Sequence, residues 1–347
     1  MVNIKTRKKE HIDICASTDV ESSDKFTGFS EFSFYPKSLP DINTEDIDLS
    51  ATFLNTSFGM PVLIPGMVGG TSEGHEINLR LAQIAQEFNI PMGVGSQRIS
   101  LENDETAKYF KLKDRFPNIF LISNVGISVL KENDYVSKCK RAVDMIEADA
   151  LSIHVNVMQE LVQKEGLRDF SGIFPKIKTV ASELNVPIII KEVGFGLDTD
   201  TGSKLRDLGV KVLDIGGSGG TSWAYVEGLR AADENTKRVG ATFRDWGIPT
   251  AFALRDLKKT CPNMELIATG GIRNGIDVAK AIALGASMAG IGLPLFRAAR
   301  TGLPELRSVM TGYQRELLIT MACTESKSIK DLKVGYDIRT KPAPKAN

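Results

Sequence analysis

The sequence predicts an α/β chain that closes as a (β/α)8 TIM barrel, with an N-terminal extension and a long loop after the sixth strand. Three observations predict it. Eight short apolar, β-branched runs recur along the chain. Amphipathic segments of helical length lie between most of them, as parallel pairing requires. The runs end in glycine or a polar residue, and barrels of this kind build their sites at the C-terminal face of the strands.

The composition is compatible with this architecture. The 347 residues are 42% apolar and 25% charged, enough for a full core. That length also allows two domains of about 150 residues each, so the periodicity decides. Lys+Arg and Asp+Glu both number 43, so bulk charge gives no support to a nucleic-acid or membrane-surface partner. Cys15, Cys139, Cys261 and Cys323 form no CxxC pair, which argues against a disulfide framework or a zinc site. The start MVNIKTRKKEHID has no apolar signal core, and no stretch approaches the ~20 apolar residues of a membrane span. The expected location is the cytoplasm.

Residues 1–60 precede the regular part and are expected to be an extension. Their basic cluster, residues 6–11 (TRKKEH), reads either as a solvated charged tail or as an anion clamp formed by Arg7 and Lys8. Residues 61–325 hold the expected barrel. Its strand runs are residues 61–67 (PVLIPGM), 90–96 (IPMGVGS), 119–126, 150–156 (ALSIHVN), 186–194 (VPIIIKEVG), 210–217, 265–271 (ELIATGG) and 287–292. Residues 79–88, 106–116, 128–147, 174–184, 199–208 and 275–284 read as helices between them. A doubly wound open sheet is the rival, but no early GxGxxG turn marks one. Between residues 217 and 265 only 249–260 reads as the returning helix. Residues 222–246, with both tryptophans, are expected to be a lid, the other reading being disorder. Residues 326–347 form the expected tail, its end KPAPKAN fraying.

The chemistry concentrates in residues 150–160 (ALSIHVNVMQE). Strand alternation turns His154 and Asn156 the same way, and Gln159 and Glu160 follow within a turn. His154 reads as a site residue rather than a satisfied core histidine because Asn156 shares its face. Glu160 reads equally as a Mg²⁺ ligand or as a carboxylate favourable to a helix N-terminus. Lys191 ends a strongly apolar strand, where an ammonium group needs an anion or a polarisable ligand. Glu192 faces the opposite way and is a poor partner, which leaves a cofactor contact or a facing carboxylate. Two glycine-rich turns, GGSGGTS (216–222) and TGGIRNG (269–275), offer backbone N–H groups to a phosphate, with Thr221 and Arg273 beside them.

These motifs together resemble a known family. RKKEHI (7–12), PGMVGGTSEG (65–74), VGSQR (94–98), IHVNVMQE (153–160), KEVGFG (191–196), DIGGSGGTSW (214–223), DWGIPTA (245–251) and ATGGIRNG (268–275) resemble, in that order, the type 2 isopentenyl-diphosphate isomerases, over nearly the whole chain. The resemblance implies FMN at the barrel mouth, in contact with Gly66, Met67, Val68, Ser96, Asn124, Lys191, Thr221, Gly271, Ile272, Arg273, Ala289 and Gly290. It implies a diphosphate substrate held by Arg7, Lys8, Ser96, Gln97, Arg98, His154, Asn156 and Gln159, with Mg²⁺ on Glu160. The implied reaction interconverts isopentenyl and dimethylallyl diphosphate by a 1,3-proton shift, with reduced FMN as the acid and base and NADPH as reductant. Gln159, His154 and Asn156 are the implied catalytic residues, and a homotetramer or homo-octamer the implied assembly. Members of the family carry GMTGG where this chain has GMVGG, so Val68 can offer a flavin only its backbone.

Two flavin-barrel alternatives fit less well. A 2-hydroxy-acid oxidase needs a histidine and an arginine near the end of the sixth strand, where this chain reads GGSGGTSW. A dehydrogenase of the inosine-monophosphate type needs a nucleophilic cysteine after that strand, and Cys261 lies too far along. A catalytically idle sensor barrel would not need the HVNVMQE cluster.

Overall fold

The computed structural model describes residues 4–333 and the short strand Tyr336–Asp337; the end KPAPKAN lies outside the described residues. Each predicted run contributes one barrel strand: β1 (Val62–Leu63), β2 (Met92–Gly93), β3 (Leu121–Gly126), β4 (Ala150–Val155), β5 (Ile188–Glu192), β6 (Val212–Asp214), β7 (Glu265–Thr269) and β8 (Met288–Gly290). Every pairing in the eight-stranded sheet is parallel, in sequence order around the ring, with β8 returning to β1. The ring closes between β1 and β2 through a parallel bridge of Ile64 with Met92, where Gly93 N–H donates to Ile64 O at 2.8 Å.

The interior is filled from below. A hairpin of Ala51–Phe53 and Thr56–Phe58 caps the N-terminal end, and Phe53 and Phe58 pack on the inward residues Leu63, Ile122, Ala150, Ile189, Val212, Ile267 and Met288. Two residues further along each strand, on the same face, come Pro65, Asn124, Ser152, Lys191, Asp214, Thr269 and Gly290. A polar tier thus sits directly on an apolar one.

The outer helices are α1 (Ile4–Ser17), α2 (Ser72–Glu87), α3 (Arg98–Glu102), α4 (Tyr135–Asp144), α5 (Val157–Val162), α6 (Ile173–Glu183), α7 (Thr199–Asp207), α8 (Trp223–Arg230), α9 (Glu234–Thr242), α10 (Thr250–Thr260), α11 (Gly275–Ala283), α12 (Leu293–Thr301) and α13 (Leu303–Cys323). Side-chain caps open several of them: Thr71, Asp198 and Asn274 accept from Gly74, Thr201 and Asp277 N–H groups.

Three expectations need correction. Residues 106–116 are not a helix but a 3₁₀ turn, Asp104–Tyr109, followed by irregular chain. Phe110 and Leu112 are both fully buried two residues apart, a spacing no helix places on one face, and Pro117 bars a helical Phe116. Residues 128–147 split into a 3₁₀ turn, Ile127–Lys131, and α4. Residues 222–246 are not a loop but the antiparallel pair α8 and α9, started by Ser222 and Asp233 as N-caps. The pair packs where Gly228 meets Gly240: a Cβ on Gly240 would lie 2.6 Å from Gly228 Cα and from Ala224 O.

α1 lies across the barrel mouth against α8 and α12, with Ile12 and Cys15 buried, so the basic N-terminus is docked rather than solvated. The four cysteines are free thiols. Among the described residues no helix is long and apolar enough to cross a membrane, and no group of three His, Cys, Asp or Glu side chains could hold a metal ion.

Candidate active site

A cavity of about 280 Å³ opens at the C-terminal face of the barrel, under α1 and α8. Its floor is the polar tier. Asn124 Nδ2 donates to Val94 O at 3.0 Å, which turns Asn124 Oδ1 toward His154 Nδ1 at 2.8 Å. That orientation places the imidazole proton on Nδ1 and leaves Nε2 as an acceptor. Burial, with Lys191, Lys8 and Arg7 nearby, pushes the His154 pKa down to about 4, so the ring is neutral at physiological pH.

Lys191 faces the cavity between β4 and β6. Its Nζ pairs with Asp214 Oδ2 at 3.0 Å and donates to Glu192 O at 2.9 Å and Thr269 Oγ1 at 3.2 Å. The facing carboxylate left open by the sequence therefore exists, and Lys191 still lines the cavity. Glu192 points the other way, as alternation requires. Its Oε2 accepts from the N–H groups of Val193, Gly194, Phe195 and Gly196, and burial pushes its pKa up to about 7 against those bonds.

α5 supplies the amide cluster. Asn156 is its N-cap, and Asn156 Nδ2 donates to Gln159 Oε1 at 3.0 Å and Glu160 Oε1 at 3.2 Å, while its buried Oδ1 has no partner among the described residues. Glu160 Oε2 accepts from Leu167 N–H at 2.7 Å. Gln159 Nε2 donates to Glu227 Oε1 at 2.8 Å. Glu227, on α8, is almost wholly buried and also bonds His11 at 3.0 Å and Arg230. Burial alone would raise its pKa; the bonds from His11 and Gln159 and the Arg230 charge hold it down at about 2. His11 in turn meets the Trp223 ring edge-on, centroids 5.1 Å apart.

The rim is cationic. Lys8 Nζ donates to Gly69 O and Ser96 O, both at 2.9 Å, and burial beside Arg7 lowers its pKa to about 7. Arg7 and Arg98 line the same wall, Arg98 in an ion pair with Glu102 at 3.0 Å. Opposite, the turns 216–222 and 269–275 press together: a Cβ on Gly220 would lie 2.5 Å from Gly271 N, which glycine alone permits. Thr221, Gly271, Ile272 and Arg273 line this end. Arg273 bonds Glu21 Oε1 at 2.7 Å and Gly271 O at 3.0 Å. Gly66, Met67, Val68 and Gly290 line the wall between the two ends, and the Val68 carbonyl accepts from Gly95 N–H and Asn78 Nδ2.

Two expected contacts lie outside the cavity. Gln97 is fully buried in the wall, where Nε2 donates to Ala142 O and Oε1 accepts from Ser123 Oγ and Asn124 N. It braces β3 and presents nothing to the cavity. Ala289, also fully buried, gives its N–H to Pro61 O in the barrel wall. Conversely, His11 and Trp223 line the cavity, and Glu227 and Asp214 stand behind its lining in contact with Gln159 and Lys191; the sequence reading named none of the four as a site residue. Trp223, Glu227 and Arg230 are spaced i, i+4, i+7, a helical face visible once residues 222–246 are read as helix.

The family model of FMN-dependent dehydrogenases matches residues 132–337. Solved structures share the fold at low identity: a mandelate oxidase mutant at TM-score 0.64 and 18% identity, covering 94% of this chain and 92% of that one, and a flavocytochrome b2 mutant at TM-score 0.67 and 18% identity, covering 97% and 86%. Curated relatives are much nearer. The isopentenyl-diphosphate delta-isomerase of Nostoc sp. is 42% identical over 328 residues, 94% of either chain. That of Rickettsia bellii is 42% identical over 333 residues, 96% of this chain and 97% of its own. With this identity sustained over 94% of the chain, and a match to an FMN-dependent domain over residues 132–337, the chain belongs to the type 2 isopentenyl-diphosphate delta-isomerase family.

Proposed function

We propose that the protein interconverts isopentenyl and dimethylallyl diphosphate by a 1,3-proton shift in this cavity, with reduced FMN and Mg²⁺ bound. The observation that carries the reading is one cavity with a cationic rim for a diphosphate and a buried Asn156–Gln159–Glu227 chain beside it. The residues fit a flavin nucleotide. The apposed glycine turns would give backbone N–H groups and Thr221 to a phosphate, and Lys191 and Asn124, which line the same cavity, would offer their polar groups to the ring system. They fit Mg²⁺ as Glu160 alone, a single carboxylate completed by substrate phosphate and water. When bound and reduced, FMN supplies the proton-exchanging group that an alkene needs and that no cavity side chain offers.

The chain's own residues bind, orient and exclude water. Arg7, Lys8 and Arg98 hold the diphosphate at the rim, with Ser96 beside them. The substrate's charge raises the pKa of His154, so that its Nε2 takes up a proton and donates to a phosphate oxygen. Asn156 orients Gln159. Gln159, anchored by the ionised Glu227, sets the reacting carbons and assists proton movement. α1 and α8 cover the mouth and keep water from the cationic transition state. NADPH is the proposed reductant, the cytoplasm the proposed compartment, and a homotetramer or homo-octamer the proposed assembly. The test is an anaerobic incubation with FMN, Mg²⁺ and isopentenyl diphosphate, with and without dithionite. Dimethylallyl diphosphate in the reduced sample alone is expected. No product in either, with FMN shown bound and reduced, refutes the reading.

A further inference from the structure

The polar tier contains a carboxylate, Asp214, that the proposed reaction leaves without a task. Asp214 is 2% exposed, at the end of β6. It is the register partner of Lys191 on β5, and their side chains meet at 3.0 Å on the inward face. Thr269, on β7, donates its hydroxyl to the other Asp214 oxygen and accepts from Lys191 Nζ at 3.2 Å and Gly216 N–H at 3.0 Å. Three adjacent strands thus give one residue each to a closed Lys–Asp–Thr triangle. Lys191 and Thr269 line the main cavity, whereas Asp214 lies in the recess beneath them.

A lysine needed only for its charge would act most strongly without a counter-ion. Here the ammonium group reaches the cavity with a carboxylate behind it and a hydroxyl that shields part of that carboxylate. In a site this buried, a charge 3.0 Å behind the ammonium group still acts, since screening by water is weak. We propose that Asp214 is a positioning residue that sets how much of the Lys191 charge reaches the ring system of bound FMN, Thr269 setting how strongly Asp214 does so. This rests on the reading that FMN lies on Lys191. Reduction adds negative charge to the flavin ring, so a carboxylate behind Lys191 disfavours the reduced form and holds the potential below the value that Lys191 alone would give.

The test is the midpoint potential of FMN in the reconstituted holoenzyme, measured by dye equilibration at fixed pH, beside the affinity for oxidised FMN. Asp214→Asn keeps the shape and removes the charge. It is expected to favour reduced over oxidised FMN by about tenfold, which for a two-electron couple is ~30 mV upward. Thr269→Ala removes the shielding hydroxyl and is expected to act in the opposite direction, by about threefold. An unchanged or lowered potential in Asp214→Asn with FMN bound overturns the proposal. If that variant takes up no FMN, Thr269→Ala decides: a lowered potential supports it, an unchanged or raised one overturns it. Wild-type protein that binds FMN without isomerising substrate refutes the functional reading alone, because the potentials remain measurable. Wild-type protein that binds no FMN overturns both.

Discussion

Before substrate binds, His154 and Lys8 bring little of their ordinary charge to the cavity. The His154 ring stays neutral above pH of about 4, and Lys8 loses its proton above about 7. An arriving diphosphate raises both pKa values, so binding takes up protons at neutral pH. Titration calorimetry with inorganic diphosphate in two buffers of different ionisation enthalpy should show this uptake, reduced in His154→Gln and in Lys8→Met. Because Lys8 is charged below its pKa, KM for the diphosphate substrate should rise with pH above about 7, and Lys8→Met should flatten that rise. Gln159→Ala should lower kcat by roughly 100-fold or more, in the range of lost proton-transfer assistance, with FMN affinity unchanged; full turnover would remove Gln159 from the mechanism. Asn124, His154 and Lys191 were legible in the sequence because strand alternation points them inward and strand ends mark the functional face. Gln97 was not, since it follows a strand where alternation no longer fixes direction. Asp214 stood in a quoted motif, but only register shows that it faces Lys191.

At the scale of elements, the β-runs were legible and one long connection was not. Each strand is short, apolar and bounded by turn residues, which leaves little else for it to form. Residues 222–246 belong to a long connection, hold both tryptophans and several charges, and read as a loop. Their glycines are instead the contact between α8 and α9, and their charges include Glu227, which is satisfied by His11 and Gln159 from other parts of the chain and by Arg230 of its own helix. Gly240→Ala should therefore overpack that contact and cost about 1–3 kcal/mol in urea unfolding. It should also raise KM, because α8 carries Glu227 and Trp223 over the cavity. A variant with wild-type stability and KM would show that the crossing tolerates a methyl group.

For the whole molecule, the barrel separates stability from chemistry along its axis. The lower tier, with Phe53 and Phe58 beneath it, contains no polar side chain that faces the cavity. Phe53→Ala should cost about 3–5 kcal/mol by emptying a fully buried site, seen as a lower denaturant midpoint, while the folded enzyme keeps its KM and FMN affinity. Loss of activity in proportion to Gln159→Ala would mean that the tiers are coupled.

The roof of the cavity also orders events in time. α1 precedes the barrel in the chain, yet several of the groups that fasten it come much later: Arg297 bonds Cys15 O across 282 residues and Thr18 O across 279, and Glu227 reaches His11 across 216. While those partners are still in the ribosome, α1 has the Lys8 bonds to Gly69 O and Ser96 O but neither α8 nor α12 to pack on, and its apolar face is exposed to chaperones and proteases alike. The anion clamp is thus complete only once both α8 and α12, the helices α1 packs on, have been made.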